Sequence, residues 1–382
     1  MTGDDTPAPE PPPTTPDVPS HPGGSAPVAE GAAPAGEGDA AAPETAPPAR
    51  RPPRRLRSFL LGLVLAAVLA FFLFVVLGTS SSPGTPGSGY ATLEKTGAWQ
   101  KYAGEMNTAW KIAEDKRLKP VQAFQKAELG GESAKSGFVF YPFSGPDVMY
   151  MQGFYPNGTT YVLAGLEMPG TILEPAGYEG KDLEAQFDGL RQGISSLFER
   201  SFFVTGEMSR QLRGQKVDGV LPVILTLLAR TGNTIENVRN VEIEDDGKLV
   251  ELAQAKPKKQ PPPGAKPDGL EVVYHKDGET KQRKLYYFRL DLGPGLDVNP
   301  SFLTFSSQFG KPETLIKSAS FLLHWKQFVK LRDYIVANST QIVQDDTGIR
   351  YEIFRKQNWK VRLYGSYGRP DKPFQSQYQN DM

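Results

Sequence analysis

The chain has 382 residues, with 43 Lys plus Arg against 43 Asp plus Glu, and no cysteine. The missing cysteine excludes disulfides, thiolate metal sites, a cysteine nucleophile and a lipid-modified cysteine. The neutral total hides a division. Setting aside the eight acids of residues 1–50 and Arg50, Arg51, Arg54, Arg55 and Arg57 leaves 38 bases and 35 acids in residues 58–382, too even for the basic face that nucleic-acid binding requires.

Residues 1–55 carry 15 prolines, no aromatic residue, and only Val18 and Val28 as large aliphatic side chains. Such a segment buries too little apolar surface to offset its ordering entropy, so a disordered acidic tail is predicted, stiffest at Pro11-Pro12-Pro13. Phe59 to Leu77 then reads FLLGLVLAAVLAFFLFVVL, nineteen residues without a charge. At about 1.5 Å per residue a helix of that length spans roughly the hydrocarbon core of a bilayer. A soluble core helix would show a polar stripe, and a cleaved signal peptide would carry a shorter apolar core near the N-terminus. A single transmembrane helix over residues 56–78 is therefore expected, with the lipid bilayer as its partner.

Five arginines precede this span, whereas neither Lys nor Arg occurs from Thr79 to Glu94. The positive-inside rule then places the tail in the cytoplasm and the rest outside, which is the periplasm in a bacterium with two membranes. Residues 79–89, TSSSPGTPGSG, form a flexible linker.

Residues 90–382 are expected to be one α/β domain with a mixed, largely covered sheet. Tyr90 to Leu129 is predicted helical, with Trp99, Tyr102, Met106, Trp110 and Ala113 on one stripe. Gly137 to Phe143 is a β-rich run, Asp147 to Phe154 a short helix and Thr160 to Leu166 a second strand, together a βαβ-like unit. Its continuously apolar strands point to a sheet covered on both faces. Helices follow at Asp182–Phe203 and Val220–Ala229, and strands at Val238–Ile243, Glu271–His275 and Leu285–Leu292, with Lys276-Asp277-Gly278 as a hairpin turn. Residues 253–269, Lys/Pro-rich, read as a surface loop. Lys311–Leu323 leads into a helix near Trp325–Asn338. Gln341–Ile349 reads as a strand end and turn, and Tyr351–Arg355 with Trp359–Tyr364 as paired strands.

Two groups of residues are candidates for chemistry. Ser144, Gly145 and Asp147 follow the first strand, and Glu167 closes the second. That placement is reminiscent of a nucleotide site, where a first turn approaches phosphate and an acid further on takes the ribose. The loop lacks the G-x-G-x-x-G spacing, and proline removes a backbone donor from it. The plainer reading is a tight turn in which Asp147 caps the helix. Asp345 and Asp346, ahead of Gly348, could bind a divalent cation or serve as a general base, or could cap a turn. A sheet wound in this way could bring Asp147, Glu167 and Asp345 to one rim. Of the three histidines only His324 lies among apolar residues, so a histidine-based zinc site is not expected. Asn157-Gly-Thr and Asn338-Ser-Thr are glycosylation sequons, relevant only in a glycosylating host.

The segments YPFSGPD (141–147), TYVLAGLE (160–167) and QDDTGI (344–349) are similar to segments of uncharacterised bacterial secreted or membrane-anchored proteins, over most of residues 130–380. The resemblance implies an envelope setting and carries no activity, cofactor or catalytic residue. Two functions are expected from the whole reading. The first is an envelope domain that binds a protein or small-molecule partner. The second is an α/β enzyme using the acidic rim, either a metal-assisted hydrolase or a methyltransferase-like nucleotide binder, with catalytic candidates Asp147, Glu167 and Asp345 and binding candidates Ser144, Gly145 and Asp346.

Overall fold

The computed structural model describes residues 97–130, 137–170, 181–200, 219–253, 264–317, 319–354 and 361–365. The tail, the apolar segment 59–77, the linker 79–89, the centre of the Lys/Pro-rich loop and residues 366–382 lie outside the described residues. Among the described residues no helix is long and apolar enough to cross a membrane.

The first strand decides the architecture. β1 (Phe138–Tyr141) is buried along its whole length, and its side chains alternate between two separate cores. Val139 and Tyr141 join one cluster, Phe138 and Phe140 the other. β2 (Thr160–Gly165) divides the same way, Tyr161 and Leu163 on the first side and Val162 and Ala164 on the second. Two adjacent strands with no polar face must be covered above and below, as parallel sheets are.

Helices supply the two covers. On the first face a continuous helical run contains α1 (Gly97–Ala113), a π-helical segment (Glu114–Leu118), α2 (Lys119–Phe124) and a second π-segment (Gln125–Leu129). Trp99, Tyr102 and Met106 pack from α1, and the Tyr102 ring stacks on Phe187 at 4.6 Å. The same face holds α3 (Val148–Phe154), α4 (Lys181–Arg200) and α5 (Leu221–Arg230). The second face carries α6 (Pro294–Val298), α7 (Ser301–Ser307), α8 (Val329–Asn338) and α9 (Tyr351–Phe354).

Among the described residues the sheet has nine strands in the order β4-β3-β5-β6-β2-β1-β7-β8-β9. Six of them, β6 (Arg283–Arg289), β2, β1, β7 (Glu313–Ile316), β8 (Gln341–Gln344) and β9 (Val361–Leu363), run parallel. Counted along the chain, this is the doubly wound order 3-2-1-4-5-6. Between its second and third strands the chain makes an antiparallel excursion, β3 (Asn233–Ile243), β4 (Leu249–Glu251) and β5 (Asp268–Lys276), which widens the sheet on one side. From β1 the chain passes to one side, into β2, and from β7 to the other, into β8. Their carboxyl ends therefore diverge around a crevice, the topological switch point.

Three expectations need correction. The expected strand Tyr351–Arg355 is, over its described residues Tyr351–Phe354, a helical turn that covers the second core with Phe354. β9 pairs with β8, and in parallel, so this turn is part of a crossover rather than one arm of a hairpin. The loop ends earlier than residue 269, because Asp268 and Gly269 already belong to β5. Asp268 lies opposite Arg289 in register, and their side chains form hydrogen bonds of 2.9–3.1 Å with both partners buried. A Cβ on Gly269 would sit 2.0 Å from the Tyr287 carbonyl oxygen, so only glycine permits this approach.

That ion pair staples the excursion to the parallel core. Asp268→Ala leaves Arg289 as a buried charge without its carboxylate and should cost about 3–5 kcal/mol. The double replacement Asp268→Ala, Arg289→Met should cost less than Asp268→Ala alone. Urea unfolding of Asp268→Ala, Arg289→Met and the double variant against the unaltered protein measures the coupling.

Candidate functional site

The loop after β1 is built by its own hydrogen bonds. The Ser144 hydroxyl donates to the Ala164 carbonyl and accepts from the Ala164 N–H, both at 3.1 Å, so a side chain extends the β1–β2 ladder by one step. Gly145 takes φ +52° and donates its N–H to the Ala164 carbonyl at 3.1 Å. Gly165 must be glycine for this to happen, because a Cβ there would lie 2.4 Å from the Glu167 carboxylate and 3.0 Å from Gly145 Cα. Ser144 and Gly145, candidates for binding, hold β1 to β2 through these bonds.

Asp147 caps α3 by accepting the Tyr150 N–H at 3.1 Å, as a turn-and-cap reading requires. It has two further partners. The Tyr141 hydroxyl donates to it at 2.8 Å, and the Lys317 ammonium reaches the same oxygen at 3.3 Å. Lys317 is the first residue beyond β7, and its Nζ stands 3.8 Å from the centre of the Tyr150 ring, within cation–π range. Its side chain is only 13% exposed.

Burial controls the titration of this group. It lowers the affinity of Lys317 for its proton, against the pull of Asp147 and Asp345, and the Arg117 guanidinium lowers it further. Burial also raises the Asp147 carboxyl above the ordinary carboxylate range, opposed by Lys317, Tyr141 and the Tyr150 N–H. Tyr141 is pushed well up by burial and by the neighbouring Asp147 charge. Arg117 comes from the first π-helical segment and donates to the carbonyls of Phe198 and Glu199 at the end of α4.

Asp345 follows β8. It accepts from the Ser320 hydroxyl at 2.7 Å and from the Thr347 N–H and hydroxyl at 2.9 and 2.7 Å, an Asx-type turn. His324 lies beside it, with Nε2 3.1 Å from the Thr347 carbonyl, and burial lowers its pKa. Glu167, at the end of β2, receives the Tyr287 hydroxyl on its carbonyl at 2.9 Å and on its carboxylate at 3.1 Å. The carboxyl rim thus holds all three acids: Asp147 and Asp345 both act on Lys317, while Glu167 stands apart beneath Gly145. Asp346 is half-buried next to Asp345. Each of the three acids already accepts hydrogen bonds from protein donors. Among the described residues no group of three or more acids or histidines is arranged to hold a metal ion.

Two loop residues carry backbone strain. Among the described residues only Phe143 (φ 60°) and Ala319 (φ 48°) take positive φ without being glycine. One lies after β1 and the other after β7, on the two flanks of the switch point. Phe143 swings its ring across the sheet edge to Phe328, 5.8 Å away on the second face. Ala319 turns the chain so that the Ser320 hydroxyl meets Asp345. No protein-family model, curated protein or solved structure matches this chain.

Sequence reasoning missed Lys317. A single lysine after the short run Glu313–Ile316 reads as a solvated strand end. The available signal was topological: a lysine closing a strand next to β1 must lie at the switch point.

Lys317→Met should raise the Asp147 carboxyl further, since its compensating cation is gone. A carboxyl with a raised folded-state pKa contributes most when protonated, so stability should fall as pH rises from about 4 to about 7, more steeply than in the unaltered protein. Denaturant unfolding across that range checks the sign.

Proposed function

We propose that the protein is a single-pass membrane-anchored envelope protein whose C-terminal α/β domain binds a small ligand at the carboxyl edge of the sheet, between the loops after β1 and β7. The observation that carries the site is the paired strain at Phe143 and Ala319. Positive φ at a residue with a side chain costs on the order of 1–3 kcal/mol and persists where surrounding structure overrides it, most often at ligand sites. In open α/β sheets the switch point is also where ligands enter. At this edge the amine of Lys317 lies against Tyr150 on the first face, and the half-buried rings of Phe143 and Phe328 lie on the second.

Anchoring is supported by the uncharged run Phe59–Leu77 and by the arginines that precede it. The tail lies in the cytoplasm in this reading, free to dock a protein there, and the domain lies outside or in the periplasm. The enzyme reading, as a metal-assisted hydrolase or a methyltransferase-like nucleotide binder on Asp147, Glu167 and Asp345, has less support. Those acids accept bonds from hydroxyls, backbone N–H groups or Lys317, and Pro142 and Pro146 remove donors from the loop that would face phosphate.

Orientation is tested by fusing alkaline phosphatase, or a fluorescent protein that matures only in the cytoplasm, after Gly89. Phosphatase activity without fluorescence is the expected result, and fluorescence alone would place the domain inside. The site is tested on the full-length protein with a photoreactive aromatic diazirine carboxylate. Labelled peptides should concentrate on residues 141–147 and 317–328. Labelling spread evenly over exposed surfaces would remove the crevice as a binding site.

A further inference from the structure

Lys317 is an unusual residue to find at a sheet edge. It is a nearly buried amine, held between a carboxylate and an aromatic ring, with 13% of its side chain exposed. A structural ion pair would explain the contact with Asp147. It does not explain why the pair stands at the switch point, between the two loops that carry the strain, with Arg117 and Asp345 also acting on the amine. By contrast Asp268 and Arg289, an ion pair buried on both sides, use a guanidinium, which stays charged in any protein setting. A buried lysine can lose its proton, and that is how lysine nucleophiles are made.

We propose that Lys317 is a nucleophilic amine that forms an imine with an aldehyde or ketone, a proposal that rests on the crevice being the ligand site. Asp147 is the proton partner. The ammonium passes a proton to the Asp147 carboxylate, and the freed amine attacks the carbonyl carbon, forming the C–N bond. The carbonyl oxygen takes the proton back, and loss of water from the carbinolamine leaves the protonated imine. One amine and one carbonyl are consumed, one water is released, and no redox partner is needed.

The pair is suited to this exchange. Burial disfavours both charges, weakening the lysine as a base and the aspartic acid as an acid, so their proton affinities move toward each other. The Tyr141 hydroxyl, 2.8 Å from Asp147, keeps the carboxylate oriented during the transfer. The Tyr150 ring fixes the amine from one side.

The test is reductive trapping on the full-length protein. The native protein is treated with benzaldehyde and sodium cyanoborohydride near neutral pH, and the benzylated lysines are located by peptide mass mapping. Lys317 should carry the adduct ahead of exposed lysines such as Lys101 and Lys111, and that preference should vanish in urea. Lys317→Arg should lose the crevice adduct and leave the others. If that variant does not fold, the comparison of native and urea-treated protein decides alone. Modification of the exposed lysines with Lys317 untouched in the native protein would overturn the proposal. If the diazirine probe still labels the crevice in that case, the binding site stands and only the imine chemistry fails.

Discussion

A parallel sheet has to be covered on both faces, and most of this structure follows from that requirement. Each parallel connection needs a crossover that leaves the sheet and returns, so helices collect above and below. β1 shows the constraint in its purest form: four residues, all buried, with alternate side chains in separate cores. With β1 between β2 and β7 and β8 beyond β7, the connections that leave β1 and β7 run in opposite directions. The crevice at the carboxyl edge is therefore a consequence of covering the sheet, present before any ligand is considered.

What fills that edge is less economical. Tyr141, Asp147, Lys317, Ser320, Asp345 and Thr347 form a polar cluster where apolar packing would have served stability as well or better. Burying an ion pair costs desolvation that the mutual attraction repays only with good geometry. The Lys317–Asp147 contact, at 3.3 Å with one oxygen, is looser than the several short bonds between Arg289 and Asp268. The tight pair joins β5 to β6, in the interior of the sheet. The loose pair spans the crevice, beside a strained loop on either hand. That contrast sets a pair that serves packing apart from the one proposed to carry chemistry.

The antiparallel excursion serves a different end. β3, β4 and β5 extend the sheet beyond β6, so β6 gains a neighbour on its outer side. Tyr287, on β6, can then be held fully buried while its hydroxyl reaches Glu167 across β2. Glu167 is drawn into that contact and away from Asp147 and Asp345.

Much of this was legible in the residues. Alternating and continuous apolar runs marked β1, β2, β5 and β6. Helical spacing marked Trp99, Tyr102 and Met106 in α1, and Asp147 announced itself as a cap. Period and capping are local properties, carried by side chains within a few positions of one another. Where local signals were ambiguous the reading failed: Tyr351–Phe354 has strand-like residues but lies in a crossover, and Asp268 looked like loop because its partner Arg289 is 21 residues away. The pairing of strands, the approach of Lys317 to Asp147 across 170 residues, and the strain at Phe143 and Ala319 come from the tertiary structure alone. A hydrogen bond or an ion pair between distant segments depends on strand order, and no pattern within either segment encodes that order. By itself the sequence determined an α/β domain with alternating elements and an apolar segment before it. Only the folded chain decided which side chains share an edge, because that is settled by which strands lie side by side.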